Sequence, residues 1–119
     1  MISLRFLVIG KDIDYGGPVD PREVKMVLEQ LYKPSFEMLK KWEMNEKGVG
    51  GVFAAQRGGA IILEAESAEE LSAKIKSLPF WARESWEVIP LQTFQSAIED
   101  LDRQIEQVKK MAAMPPKPK

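Results

Sequence analysis

The chain contains neither cysteine nor histidine. Without cysteine there is no disulfide framework, no thiolate nucleophile and no thiolate-bound zinc. Without histidine the chain lacks the side chain whose ordinary pKa best suits proton transfer near neutrality, and it lacks the commonest metal ligand. Acid–base chemistry must therefore use carboxylates, lysine, tyrosine or groups beside arginine, and the sequence predicts no metal site.

An excess of charge of one sign and a long apolar run are also missing. The 17 basic and 18 acidic residues leave a net charge of −1, which provides no positive surface for a nucleic-acid backbone. The apolar run Leu7-Val8-Ile9 near the N-terminus is far too short for a signal sequence or a membrane span. We therefore expect a cytoplasmic protein whose partners are neither nucleic acids nor membranes.

The composition is that of one globular domain. Hydrophobic residues make up 45% of the 119 residues and charged residues 29%, which are ordinary proportions for a folded domain. A chain of this length buries roughly 65% of its unfolded surface, enough for a core. We predict one domain over residues 1–113, with a last helix at about 93–111, and a disordered basic tail over 114–119.

Hydrophobic periodicity and turn residues predict the element order β-α-β-β-α-β-α. The strands are expected at 2–10, 49–56, 60–66 and 84–91. Asp20 and Ser67 are expected to cap the first two helices, and Thr93 or Ser96 to begin the last. Pro34 lacks a backbone donor and should kink or split the first helix. This order predicts an α+β fold, a ferredoxin-like βαββαβ unit with a four-stranded antiparallel sheet and an added C-terminal helix.

Both faces of the predicted sheet are apolar. In the first strand Phe6 and Val8 point one way while Leu7 and Ile9 point the other, and the third and fourth strands repeat this pattern. An antiparallel sheet with one wet face should instead alternate apolar and polar residues. We therefore predict that a second copy covers one face, giving a homodimer or a higher oligomer. The alternative is that the C-terminal helix folds back over that face.

The last helix carries an apolar stripe with alternating spacings of four and three residues. The stripe consists of Phe94, Ile98, Leu101, Ile105, Val108 and Ala112. It forms fewer than three heptads, which is short for a coiled coil. We expect it to pack on its own or the partner's domain, and the alternative is an arm that builds higher oligomers.

Three segments of the second half follow one another in a distinctive order: ESAEEL at 66–71, SLPF at 77–80 and WEVIPL at 86–91. Together they resemble the muconolactone isomerase-like family of dimeric α/β-barrel proteins, and the likeness covers about half of the chain. The resemblance implies that the sheets of two chains face each other in a barrel with the helices outside. It also implies a cofactor-free isomerase, or a related enzyme, acting on a small carboxylated or lactone-like organic molecule.

Three charged residues lie inside apolar strands: Arg5, Glu64 and Glu87. If the strand register brings them together, Arg5 would bind the carboxylate of an anionic substrate, and a desolvated Glu64 or Glu87 would be the base that abstracts a proton. The alternative is a structural ion network inside the dimer.

Aromatic residues predict a ligand-binding cleft between the first helix and the Leu-Pro corner. Tyr32, Phe36 and Trp42 would line it from the helix and Trp81 from the corner, with Tyr15 in the glycine-rich loop as a lid. The alternative for these rings is an ordinary core. The alternative for the whole protein is a non-catalytic ligand-binding or assembly module on the same fold.

Overall fold

The computed structural model describes residues 4–13, 20–45 and 49–114. In these ranges one antiparallel sheet has the strand order β2-β3-β1-β4. Its strands are β1 (Leu4–Asp12), β2 (Val49–Val52), β3 (Gly58–Ala65) and β4 (Glu84–Leu91). The helices are α1 (Pro21–Val27), α2 (Lys33–Asn45), α3 (Ala68–Lys76) and α4 (Phe94–Ala112). The predicted α+β class and four-stranded antiparallel sheet are confirmed, and the arrangement is compatible with a ferredoxin-like fold.

The hairpin between β2 and β3 differs from the prediction. β2 ends at Val52 rather than at residue 56, and the chain reverses over residues 53–57. The Phe53 N–H closes this loop by donating to the Gly58 carbonyl at 2.8 Å. Gly58 has φ +151° and lies so close to β1 that a Cβ atom would meet the Gly10 carbonyl at 2.5 Å. Only glycine fits there, and its pairing with Lys11 of β1 makes it the first residue of β3.

The predicted helix starts are confirmed by their capping hydrogen bonds. The side chain of Asp20 accepts from a backbone N–H of the first turn of α1 at 2.9 Å. Ser67 accepts from the Glu70 N–H at 3.1 Å, and the Glu70 carboxylate reaches back to the backbone before the helix at 3.0 Å. Thr93 caps α4 in the same way at 3.0 Å.

Pro34 has the expected effect on the first helical segment. The chain leaves the α-helical path at Leu28 and follows a π-helical turn over Leu28–Tyr32 before α2 begins. Pro34 has no N–H to donate to the carbonyl four residues before it, and the wider turn accommodates this missing bond. The interruption changes the helical phase immediately before Tyr32, which then contacts the ring of Phe80 beyond α3.

The hydrophobic core lies on one face of the sheet. It contains Phe6, Val8, Ile61, Leu63 and Ala65 from the strands, with Leu71 and Ile75 from α3. We call the opposite side the open face, and its central side chains are Leu7, Ile9, Ile62, Ile89 and Leu91. In the single chain these five are half-buried or exposed, so no described element covers them fully.

The C-terminal helix does not fold back over the open face. α4 makes no extensive contact with any other described strand or helix, and its stripe from Phe94 to Val108 is between 50% and 90% exposed. Of the two expected positions for α4, packing on its own domain is therefore wrong, and packing on the partner's domain stays a prediction. None of the helices in the described ranges combines the length and apolarity that a bilayer crossing requires. Except for Met114, the predicted tail lies outside the described residues.

Candidate functional site

Arg5, Glu64 and Glu87 lie on the open face, but they do not form one cluster. Arg5 is directly opposite Glu64 across the β1–β3 ladder. Glu87 is paired with Ile9, four residues along β1 from Arg5 and so about 13 Å away at the rise of a strand. The predicted cluster of three is therefore wrong, because the antiparallel register of β4 carries Glu87 toward the other end of the sheet.

Two of the predicted cleft aromatics lie together on the helix side of the sheet. Tyr32 and Phe36 both meet Phe80 edge-on, with ring centroids 5.3 Å and 6.0 Å away. Phe80 also meets Trp86 at 6.0 Å. We call these four rings the aromatic cluster. Edge-to-face contacts add to the energy of burial and hold the rings in defined orientations.

The other predicted aromatics make different contacts. Trp42 packs beside the core, with the ammonium of Lys74 4.9 Å from its ring centroid. Trp81 lies under Lys76, with 5.9 Å between ammonium and centroid. These two rings therefore make cation–π contacts with lysines and do not belong to the aromatic cluster. Tyr15, the predicted lid, lies outside the described residues.

The Trp86 ring is seated on a glycine of the neighbouring strand. Gly10 is directly opposite Trp86 across the β1–β4 ladder, and a Cβ atom at Gly10 would lie 2.8 Å from the ring. The indole N–H donates to the Trp81 carbonyl at 3.0 Å. Because Gly10 lies directly beneath the ring and the indole N–H is hydrogen-bonded, the ring has a fixed orientation near the end of the sheet.

A buried hydroxyl ties α2 to the Leu-Pro corner. Ser35 is fully buried; it donates to the Leu31 carbonyl at 2.6 Å and accepts from the Phe80 N–H at 3.0 Å. Donation to the carbonyl four residues earlier is a common serine contact within helices. The second bond joins parts of the chain 45 residues apart and positions the ring of Phe80 against α2.

Beside the aromatic cluster, at the first residue of β4, the fold buries a carboxyl group. Glu84 is 6% exposed, and neither of its carboxyl oxygens has a hydrogen-bond partner among the described residues. It is directly opposite Asp12, the last residue of β1, so both side chains lie on the face that carries the aromatic cluster. The side chains of Tyr32 and Arg83 lie close enough to influence its ionisation.

Burial raises the pKa of the Glu84 carboxyl from 4.5 to about 8. The nearby Asp12 carboxyl adds to the rise, whereas the Tyr32 hydroxyl and the Arg83 guanidinium act in the opposite direction. Burial and the charges of Asp12 and Glu84 raise the pKa of Tyr32 to about 12, against the influence of Arg83. Near neutral pH this site therefore holds a carboxyl that exchanges its proton readily beside a phenol that keeps its own.

This arrangement suits proton transfer better than metal binding. A carboxyl whose pKa lies near the working pH is an effective general acid or base. In the described part of the chain, no three acidic side chains gather in a way that would hold a metal ion. Two shallow depressions, of about 460 and 370 Å³, lie on the outer surfaces of α3 and α4 instead. Their charged lining residues, Glu69, Lys76 and Lys109, are exposed, so neither depression buries a charged group as the fold buries Glu84.

The sequence interpretation missed Glu84 and Asp12. Glu84 was expected only as the beginning of a strand, and Asp12 as a turn residue. One sequence signal could have pointed to this site. Asp12 ends β1 and Glu84 begins β4, and a ferredoxin-like fold places these two strands side by side. Use of this signal requires the register of β1 with β4, which periodicity does not provide.

No protein-family model matches the chain, and no curated protein sequence matches it. The functional assignment therefore depends on the geometry of Glu84 and its neighbours.

Proposed function

We propose that this protein is a cofactor-free enzyme that moves a proton on a small carbonyl compound, of the lactone-like or carboxylated kind that the resemblance implies. One observation carries the proposal. Glu84 is a buried carboxyl with its pKa near 8, beside a second carboxyl, a phenol and a guanidinium. Unpaired buried carboxyl groups are costly, and strongly shifted ones concentrate at functional sites.

The chemistry divides between three groups. With a pKa near 8, about one Glu84 carboxyl in ten is ionised at pH 7, and that form can abstract a proton next to a carbonyl. The electron pair of the broken C–H bond forms a C=C bond to the carbonyl carbon, and the C=O π pair moves onto the oxygen. In a substrate with a neighbouring C=C bond, Glu84 returns the proton to the far carbon of the extended enolate and the C=O bond re-forms, so the double bond has shifted and the product is an isomer. The Tyr32 hydroxyl donates to the oxygen that becomes negative, and the charge of Arg83 stabilises it.

The proposal includes assembly as a homodimer, with the sheets of two chains facing in a dimeric α/β barrel. The apolar open face supports this, because a contiguous apolar surface of that kind usually marks an interface. In such a dimer Arg5, opposite Glu64 across the β1–β3 ladder, would lie inside the barrel, and its guanidinium would bind the carboxylate of an anionic molecule. The cytoplasmic location expected from the sequence belongs to the same proposal.

Solvent deuterium exchange tests the chemistry without knowledge of the product. Small lactones and keto acids are incubated with the protein in deuterium oxide, and loss of the signal of protons next to the carbonyl is followed by proton NMR. We expect exchange of at least one compound in the panel. Glu84→Gln should slow it by about 10²-fold or more, the usual contribution of a general base.

Glu87→Gln is the matched control, since Glu87 is an exposed carboxylate on the same strand. It should exchange substrate protons at the wild-type rate. Equal loss of exchange in both variants would show that Glu84 has no special role. No exchange of any compound by the wild-type protein would remove the enzymatic proposal.

A second candidate function is a non-catalytic assembly module, and the exposed apolar stripe of α4 favours it. Thermal shift against a panel of small organic acids separates the two candidates. Stabilisation that Arg5→Ala abolishes indicates an anion site in the barrel. A panel without any shift, combined with the absence of exchange, favours the module.

A further inference from the structure

α4 leaves the domain as an arm with an uncovered apolar stripe. The chain extends over 73 Å, and its radius of gyration is 21.4 Å, against about 14 Å for a compact domain of this length. An amphipathic helix gains most of its stability from packing its apolar face. We infer that the α4 helices of two copies of this chain pair antiparallel, and this inference does not depend on the proposed catalysis.

The stripe has the pattern of a two-stranded coiled coil. Ile98, Ile105 and Ala112 occupy the a positions of the heptad, and Phe94, Leu101 and Val108 occupy the d positions. Apolar residues at successive a and d positions form the seam along which two helices pack knobs-into-holes. The opposite side of the helix carries acidic and basic residues that pair with each other, as Arg103 does with Asp100. One side of α4 is therefore suited to contact and the other to water.

One antiparallel register uses the whole stripe. With a two-fold axis beside residue 103, every a residue faces a d residue of the second copy. Phe94 faces Ala112, Ile98 faces Val108 and Leu101 faces Ile105, and each pair occurs twice. The six layers cover the 19 residues of the helix, about 28 Å at 1.5 Å per residue. The bulkiest residue meets the smallest, so the layers have similar volumes.

A parallel pair lacks this complementarity. It would place Phe94 against Phe94 at one end of the helix and Ala112 against Ala112 at the other. The first layer would be crowded and the last would leave a gap, and both are unfavourable in a packed interface. The antiparallel register avoids both, and it also places the two domains at opposite ends of the helix pair.

A shallow depression lies among the residues of the apolar stripe of α4. It has a volume of about 370 Å³ and is lined by Leu101, Gln104, Ile105 and Val108, among others. These four positions, d-g-a-d in the heptad, surround one hole of the kind that receives a knob in coiled coils. In the register above, Leu101 of the second copy lies opposite this hole.

One contact on the flank opposes the pairing. Asp102 lies at an e position and meets Asp102 of the second copy across the axis. Because the helix surface there is exposed to solvent, salt should screen the repulsion. We therefore expect the pairing to be stronger in high salt than in low salt.

Disulfide trapping tests the pairing directly, because the natural chain has no cysteine. The full-length double variant Ile98→Cys with Val108→Cys places the two thiols of each a–d layer within disulfide distance. We expect mild oxidation to convert it to a covalent dimer on a non-reducing gel. Ile98→Cys alone should stay monomeric on the gel, since the two copies of that residue lie about 15 Å apart along the axis.

Lys110→Cys is the matched control, because residue 110 lies on the outer side of the same helix and should not cross-link. Failure of the double variant to cross-link would overturn the inference. So would efficient cross-linking of Ile98→Cys alone, which indicates a parallel pair. A disulfide between cysteines introduced at Leu101 and Ile89 would show that α4 covers the open face of the second copy instead, and the helix pairing would be wrong.

Discussion

At the scale of single residues, Glu84 differs from the other described carboxyl groups in its burial. It begins a strand, it is almost completely buried, and it faces Asp12 across the β1–β4 ladder. A charged carboxylate there would be costly, so the fold favours the neutral form. The aromatic cluster, which includes the ring of Trp86, lies on the same face of the sheet.

The raised pKa of Glu84 predicts a direction for the effect of pH on stability. Between its ordinary pKa of 4.5 and about 8, the folded state binds more protons than the unfolded state. The free energy of unfolding must then fall as pH rises through this window. Below this pH window Glu84 is protonated in both the folded and the unfolded state. Above the window it is ionised in both states, and the cost of burying its charge is fully present. We expect the melting temperature of the wild-type protein to fall between about pH 5 and pH 8, and the contribution of Glu84 to level off above that range.

Glu84→Gln should remove most of that slope, because the amide does not ionise. Glu87→Gln should keep it, since Glu87 is an exposed carboxylate on the same strand. Melting curves recorded by circular dichroism at matched ionic strength measure both. A Glu84→Gln variant with the wild-type slope would show that Glu84 titrates like an ordinary carboxyl group.

At the scale of elements, the site depends on how the helical layer meets the Leu-Pro corner. The π-helical turn shifts the phase of the chain just before Tyr32, and the hydroxyl of Ser35 holds the backbone of Phe80. Together they bring rings from α2 and the corner into edge-to-face contact. The aromatic cluster therefore joins the first helical segment to the Leu-Pro corner. The orientation of its rings depends on the hydrogen bond between Ser35 and Phe80.

Ser35→Ala tests that junction. The substitution leaves the buried Phe80 N–H without an acceptor, which typically costs about 1–3 kcal/mol. We expect urea unfolding to show a loss of stability of this size, with a change in tryptophan fluorescence as Phe80 and Trp86 move. Ser85→Ala, at an exposed position of β4, should change neither. Equal effects of the two variants would mean that the junction contributes nothing specific.

At the scale of the whole molecule, two apolar surfaces lack cover in the single chain. One is the open face of the sheet and the other is the stripe of α4. They lie on different elements, so each can meet a different copy of the chain. Exposed apolar surface of this extent is unusual for a protein that stays monomeric.

Ile89→Lys tests whether a second copy covers the open face. Ile89 lies in the middle of that face, opposite Leu7, and a buried lysine there would be unpaired. Because α4 pairs with a different copy, we expect light scattering to give the wild-type protein a mass of more than two chains, and the variant the mass of the pair that α4 still holds. Glu37→Lys, an exposed residue of α2, should keep the wild-type mass. A wild-type protein with the mass of one chain would contradict the dimer.

Local patterns were enough to predict much of the fold. Asp20 and Ser67 cap helices where the sequence places them, and β4 has the predicted bounds of 84–91. Capping needs only residues within one turn, and strand periodicity needs only neighbours two apart. The end of β2 was wrong because it depends on the close approach of Gly58 to β1.

The sequence by itself determined the α+β class and the apolarity of both sheet faces, because these depend on residues that are close along the chain. Only the tertiary structure decided which carboxyl group is buried. Glu87 and Glu84 lie three residues apart on one strand, yet the register sends one to the open face and the other against Asp12. The pKa of a carboxyl depends on solvent and charge within a few ångströms, and those neighbours come from segments far apart in the chain.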